Sequence, residues 1–388
     1  MPTTEARYHV GISGSYGGWN IGDEAILEGI VKELRRTGPV SITVFSGDPD
    51  DTLRRHGVER ALSASALSRE QLGVEIAALD ALIIGGGGIL FDNMAEIFVR
   101  EALVAQEVGV PVVVYAVSVG PLENPTTRKR LMGCFEHAEC VTVRDTQSRT
   151  LLERIGLKRD VIVTADPALL MEAEPLPPAA FEREGLDKHH HTLIGMSVRE
   201  VGAAAPDLDE THYHQLLADA ADYMVYRYDA DLLFFPMERR VLDLQQSHAV
   251  IAKMARADRA AVLRREYSAG EVLSLVGRLD FAIGMRLHFL IFAALCGVPF
   301  VPLSYAGKVA GFLENFDIDV PPVQTTQAGQ LMARIDRSWD ERRQFKRRIN
   351  RYLPAMRERA RETNRLLWEV LRRREPRQQT LPATRTAG

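Results

Sequence analysis

The chain has 388 residues, 46% of them hydrophobic, with a formal net charge of −4 and an isoelectric point near 6.2. This length allows two domains with substantial cores, and the acidic balance excludes nucleic acid as a bulk electrostatic partner. No uncharged run reaches bilayer-spanning length and the N-terminus carries no apolar stretch behind a basic start, so a cytoplasmic protein is the expectation.

In chain order, "HVGISGS" reads as a buried strand that runs into the glycine-rich loop "GSYGGWNIGDEAIL". Gly14, Gly17, Gly18 and Gly22 permit tight turns there, Asn20 follows them, and Asp23 stands where an N-cap would, just before backbone amide donors. The spacing matches neither a dinucleotide fingerprint nor a P-loop. "DEAILEGIVKELRR" then places Ile26, Leu27, Ile30, Val31 and Leu34 on one helical face. "SITVFSG" is a second strand, and "ALIIGGGG" a third that leads into "ILFDN". Consecutive glycines cost about 0.5–1 kcal/mol each against alanine. Gly86, Gly87 and Gly88, with Asp92 beyond them, therefore read as a ligand cradle or as a close-packing point between domains.

The alternation continues through the helix "MAEIFVREALVAQEVG", the strands "PVVVYAVSVG", "CVTVR" and "DVIVTAD", and the helix "SRTLLERIG". Strands alternating with helices imply parallel pairing with right-handed crossovers, a doubly wound α/β sheet. The proline-rich "MEAEPLPPAAFEREGLDKHHH" reads as a linker. A second series follows, with strands "TLIGMSVRE", "ADLLFFPME", "RAAVLRREY", "DFAIGMR" and "PFVPLSY". The expected organisation is a first Rossmann-like domain over 1–172, a linker at 173–191 and a second such domain over 192–325. Basic helices interrupted at Pro354 follow over 326–375, then a tail at 376–388. Residues 336–377 hold fifteen Arg or Lys against seven Asp or Glu, a local excess of +8, so the remainder is near −12. Such a segment is either a solvated face or one drawn to an anionic membrane.

Arg144 ends "CVTVR", Arg199 ends "GMSVR", and Arg286 follows "FAIGM". Carboxyl strand ends face the crevice of an open parallel sheet, so three such arginines, with Lys308 after a further strand, point to a small, multiply charged anion. The alternative is that each pairs with a local acid such as Asp145 or Glu200. His288, beside Arg286, is the candidate general acid. The three cysteines, Cys134, Cys140 and Cys296, have no ligand-like spacing. They predict buried thiols, and the histidine spacings predict no metal site.

These motifs, in this order from residue 8 to about 318, resemble the polysaccharide pyruvyl transferases, the cell-surface polysaccharide type in particular. "NIGDEAIL" and "MRLHFLIFA" are the most specific segments; "TADPALL" and "LFFPME", which ends at Glu238, also contribute, whereas the stretch after it, with Asp243, departs from the family's pattern. The resemblance implies two facing Rossmann-like domains similar to the GT-B glycosyltransferase architecture. It further implies phosphoenolpyruvate as co-substrate with no other cofactor, a sugar acceptor that can be lipid-pyrophosphate-linked, and a cyclic pyruvate ketal with phosphate as products. On that reading His288 is the acid and Asp23 the base. Arg144, Arg199, Arg286 and Lys308 would bind phosphoenolpyruvate, and Gly17, Gly18, Asn20, Gly86, Gly87, Gly88 and Asp92 would border the acceptor. The basic helices either cross back to brace the first domain, as in related two-domain transferases, or meet the membrane surface, and peripheral membrane contact would suit a lipid-linked acceptor. A nucleotide-sugar glycosyltransferase and a non-catalytic glycan- or anion-binding protein are the competing readings.

Overall fold

The computed structural model describes residues 7–92, 94–185, 192–200, 209–238, 243–303, 307–314, 316, 318 and 326–376. The chain builds two parallel sheets, each wound on both sides by helices. Strands β1 (Tyr8–Ser13), β2 (Val40–Phe45), β3 (Arg60–Leu62), β4 (Ala81–Leu90), β5 (Val112–Val119), β6 (Cys140–Val143) and β7 (Ile162–Val163) form the first, in the order 3-2-1-4-5-6-7. Strands β8 (Thr192–Ser197), β9 (Ala230–Phe234), β10 (Ala260–Val262), β11 (Phe281–Gly284) and β12 (Phe300–Pro302) form the second, in the order 10-9-8-11-12. Every pairing is parallel. The near-continuous apolar strands follow from this: Val10 and Ile12 of β1, or Ile83 and Ile84 of β4, are covered by helices on both faces. Strand order reverses between β1 and β4 and again between β8 and β11, and such points open ligand crevices in α/β sheets.

Helix α1 (Ile21–Thr37) buries Ile26, Leu27, Ile30 and Leu34, as their spacing predicts. It starts earlier than the sequence suggested, however. Asn20, not Asp23, is its N-cap, accepting from the Gly22 amide at 3.0 Å, and Asp23 stands inside the first turn. Helices α2 (Pro49–His56), α3 (Arg69–Ala77), α4 (Ala95–Glu107), α5 (Pro125–Glu136), α6 (Thr146–Arg154) and α7 (Ala180–Arg183) complete the first half. Helices α8 (Glu210–Tyr228), α9 (Asp243–Ile251), α10 (Ala269–Val276), α11 (Leu287–Cys296) and α12 (Gly307–Glu314) flank the second sheet.

The chain then forms α13 (Ala328–Asp340) and the 31-residue α14 (Arg342–Arg372). Pro354 does not interrupt α14, contrary to expectation. It occupies an exposed position, while Ile349 and Met356 on either side are buried, so packing offsets the one lost backbone bond. The second half of α14 crosses back onto the first sheet. Thr363 Oγ1 donates to Thr164 Oγ1 at 2.9 Å, Trp368 Nε1 to Thr37 Oγ1 at 2.6 Å, and Trp368 meets Tyr8 edge-on at 5.7 Å. Among the described residues, no helix is long and apolar enough to cross a membrane.

Candidate active site

Between the two sheets, at the carboxyl ends of their strands, lies a cavity of about 280 Å³, near the lower end of the roughly 300–1,000 Å³ typical of small-molecule sites. Asn20 and Asp23 reach it from the loop after β1 and the start of α1, Gly88 and Phe91 from the end of β4, and Arg144 from the end of β6. The second sheet contributes Arg199 after β8, Glu238 after β9, and Arg286 and His288 after β11. Both reversal points of strand order therefore border the same space.

The halves meet tightly here. The Ile21 amide donates to the Met237 carbonyl at 2.8 Å, and Asn20 forms an isolated antiparallel bridge with Glu238. His288 lies directly against the first turn of α1. A Cβ placed on Gly22 would stand 2.0 Å from its Nδ1, so only glycine leaves room for the ring. Two helix N-termini, those of α1 and α11, face the cavity; the Ile21 and Gly22 amides of α1 are taken by Met237 and Asn20, whereas α11 has no side-chain cap, and its N-terminal dipole favours an anion.

The arginines converge, yet each is already engaged within the protein. Arg144 has a side chain only 5% exposed; its Nη1 donates to Asp166 Oδ2 at 2.6 Å and its Nε to Ser118 Oγ at 2.8 Å. Arg286 donates through Nε to Asp243 Oδ2 at 2.9 Å and through Nη2 to Glu238 Oε2 at 2.8 Å. Arg199 Nε donates to the Glu200 carbonyl at 3.0 Å. Pairing of Arg144 and Arg286 with acids from distant segments, and convergence on one cavity, therefore coexist. The pairing orients the guanidinium forks and offsets the cost of burying them, since a buried charge stripped of its partner costs about 3–5 kcal/mol.

Asp166, in "TADPALL", is the residue that the strand-end argument missed. Its Oδ1 accepts from the Ala168 amide at 2.9 Å, capping a short 3-10 turn, while Oδ2 meets Arg144 and lies 3.5 Å from His288 Nε2. Burial pushes this carboxyl up, but Arg144 and His288 outweigh it and hold Asp166 well below the usual carboxylate range. His288 Nε2 is buried and makes no hydrogen bond, so Asp166 faces it at ion-pair distance without hydrogen-bond geometry. Asp243 behaves oppositely: burial raises its pKa against the pull of Arg286. A signal for Asp166 existed in the sequence, an Asp-Pro following a short strand, but its two partners come from distant segments.

Other residues fall elsewhere. A Cβ on Gly86 would lie 1.9 Å from Ile26 Cγ2 and one on Gly85 2.9 Å from the Tyr115 side chain, so these glycines let α1 and β5 pack against β4. Gly86 and Gly87 adopt φ of 71° and 83°, and the latter's added Cβ would come 3.1 Å from Ile26 Cδ1. Gly88 alone of the four borders the cavity, with its missing Cβ 3.6 Å from Arg144 Nη2. Gly17, at φ 71°, packs on Asp48 and Ser46, and space is open at Gly18; neither lines the cavity. Asp92 accepts from the amides of Glu123 and Asn124 at 2.6 and 3.0 Å, tying down the loop before α5 rather than facing a ligand. The side chain of Lys308 lies outside the described residues.

Residues 20–307 match the family described as polysaccharide pyruvyl transferase. The chain belongs to that family, and is a transferase. It is similar to the amylovoran biosynthesis protein AmsJ of Erwinia amylovora, with 22% identity over 302 residues that cover 73% of this chain and 71% of AmsJ. Among solved structures, it resembles HepE of Anabaena in complex with UDP-glucose, at a TM-score of 0.60 and 15% identity over 94% of this chain and 98% of HepE. It also resembles the UDP-GlcNAc 2-epimerase of Neisseria meningitidis, at a TM-score of 0.61 and 9% identity over 94% of this chain and 100% of that one. These two likenesses establish the shared fold of two facing α/β domains. Family membership, with the AmsJ likeness, supports a pyruvyl transferase role in polysaccharide biosynthesis.

Proposed function

We propose that the protein transfers the enolpyruvyl carbons of phosphoenolpyruvate to two hydroxyls of one sugar, closing a cyclic pyruvate ketal and releasing phosphate. The observation that carries this reading is the convergence of Arg144, Arg199, Arg286 and His288, from both sheets, on one small cavity flanked by two helix N-termini. A carboxylate and a phosphate on one three-carbon frame match guanidinium forks set beside the uncapped N-terminus of α11.

His288 protonates the terminal methylene through Nδ1, the nitrogen not turned to Asp166, and the central carbon becomes an oxocarbenium centre. The first sugar hydroxyl attacks it as Asp23, across the cavity on α1, takes the hydroxyl proton. The carbon–oxygen bond to phosphate then breaks, the arginines and amides stabilising the leaving dianion. The second hydroxyl adds to the renewed cation and loses its proton to the departing phosphate. Of the two hydroxyl protons, one replaces that given to the methyl group and the other leaves with phosphate, so the reaction balances without a redox cofactor. Asp166 orients His288 and Arg144 together, and Phe91 offers an apolar wall to the acceptor ring.

The test is incubation with phosphoenolpyruvate and a panel of sugars, free, nucleotide-linked and lipid-pyrophosphate-linked. Phosphate release matched by an acceptor mass gain of one pyruvic acid less one water is the expected result. Transfer of a hexose from UDP-glucose with no such ketal would overturn the reading.

A further inference from the structure

The basic half of α14 takes no part in the site just described. From Arg342 to Arg357 the helix carries seven Arg or Lys and no Asp or Glu. Ile349 and Met356 are buried, and Phe345 packs edge-on against Phe300 at 4.9 Å. With 3.6 residues per turn, Arg343, Lys346, Arg347 and Arg351 fall within an arc of about 140° on the opposite face, and all four are exposed. The second half of the same helix differs: Arg361 and Arg365 pair with Glu358, and Arg365 also with Glu362, cancelling the charge there.

We propose that this face of α14 docks the protein on the anionic surface of a phospholipid bilayer. The four side chains share one face of the helix, and Tyr352, the partly exposed ring beside them, already lies under the Arg351 guanidinium at 5.6 Å rather than open to stack a nucleobase. A diffuse, planar negative surface is what such a face complements. Outside residues 336–377 the chain carries about −12 against +8 within them. An anionic membrane therefore repels the bulk of the molecule and attracts this end, which fixes orientation as well as contact. The four exposed residues of this face are polar, so attachment is electrostatic, reversible and screened by salt.

Docking would also locate the reaction. Met356, five residues past Arg351 and so about 7.5 Å further along the helix axis, lines a small hollow together with Arg144, Asp166 and Leu287. The helix that meets the lipid thus passes beside a hollow that adjoins the cavity through Arg144 and Leu287. The inference does not depend on the donor or on the chemistry proposed above.

The full chain is pelleted with vesicles of pure phosphatidylcholine and with vesicles of equal parts phosphatidylcholine and phosphatidylglycerol. Binding to the anionic vesicles alone, abolished at about 1 M salt where the Debye length is about 3 Å, is the expected outcome. Each basic side chain near such a surface strengthens binding roughly fivefold. Replacing Arg343, Lys346, Arg347 and Arg351 together by Gln should therefore weaken it by about 500–1,000-fold. Arg343→Gln with Arg347→Gln, which keeps the test open if the fourfold variant misfolds, should weaken it by about 25-fold. Arg361→Gln with Arg365→Gln, on the ion-paired half, should leave it unchanged. Equal pelleting with neutral vesicles, no pelleting with either, or undiminished binding by the fourfold variant would refute the proposal. So would binding to RNA in place of the anionic vesicles.

Discussion

At the scale of single residues, His288 is confined on two sides by parts of the first domain, Gly22 and Asp166. If the imidazole is the proton donor, His288→Ala keeps phosphoenolpyruvate binding, since the guanidiniums remain, and lowers turnover about 10²–10⁴-fold. Calorimetry beside single-turnover kinetics separates the two effects, and equal turnover in the variant would remove His288 from the chemistry. Gly22→Ala gives a subtler version. Its methyl would stand 2.0 Å from Nδ1 and must displace the ring, so turnover should fall with the donor affinity held, and an unchanged rate would show that ring placement is immaterial. The positions of Arg144, Arg199, Arg286 and His288 were legible because they depend on one local rule, that carboxyl strand ends face the crevice. Asp166 was not, because its significance lies in Arg144, 22 residues upstream in the same sheet, and in His288 on α11 of the second half, neighbours that no local pattern announces.

At the scale of elements, the loop after β1 is fixed by α1 and α2. Glu24 accepts from the Gly17 amide at 2.9 Å and holds His56 Nε2 at 2.8 Å, while His56 Nδ1 meets Glu28 at 2.9 Å. Burial pulls the His56 pKa down, but the two carboxylates prevail and raise it from 6.5 to about 9. A histidine raised in the folded state contributes stability that is complete below its unfolded pKa of about 6.5 and disappears as pH climbs through the folded value. The unfolding free energy from urea titrations should therefore fall between about pH 6.5 and 9, by an amount on the order of 3 kcal/mol, and His56→Gln should flatten that slope. A wild-type slope retained in the variant would assign the effect to other groups. These contacts explain why the glycine loop was only half read: flexibility was visible in the sequence, but not that Gly17 packs on Asp48 or Gly86 on Ile26. Strand β3 and helices α2, α3 and α5 also escaped notice. The strand has three residues, and the helices, as in "PDDTLRRH" and "PTTRKRLMGCFE", are too polar for an apolar period to stand out.

At the scale of the molecule, the alternation of apolar strands and amphipathic helices was sufficient to anticipate two doubly wound sheets, since burial on both faces leaves a continuous hydrophobic signature. For α14 a return to the first domain stood beside membrane contact as an alternative, because a basic amphipathic helix carries no address. Its return to the first sheet rests on Thr363, Asn364 and Trp368, whose partners Thr164 and Thr37 carry no local mark. By joining both sheets behind the cavity, α14 braces the arrangement that brings the arginines together. The likeness to proteins solved with UDP-sugars extends to this architecture, whereas the cavity is small and lined by guanidiniums already balanced by Asp166, Asp243 and Glu238. Ligand-induced stabilisation separates the two donor classes, because a ligand that binds only the folded state raises the melting temperature by mass action. The decisive measurement is the thermal midpoint with phosphoenolpyruvate or UDP-glucose added. A rise with phosphoenolpyruvate that Arg286→Ala diminishes is predicted; a rise with UDP-glucose and none with phosphoenolpyruvate would contradict the account.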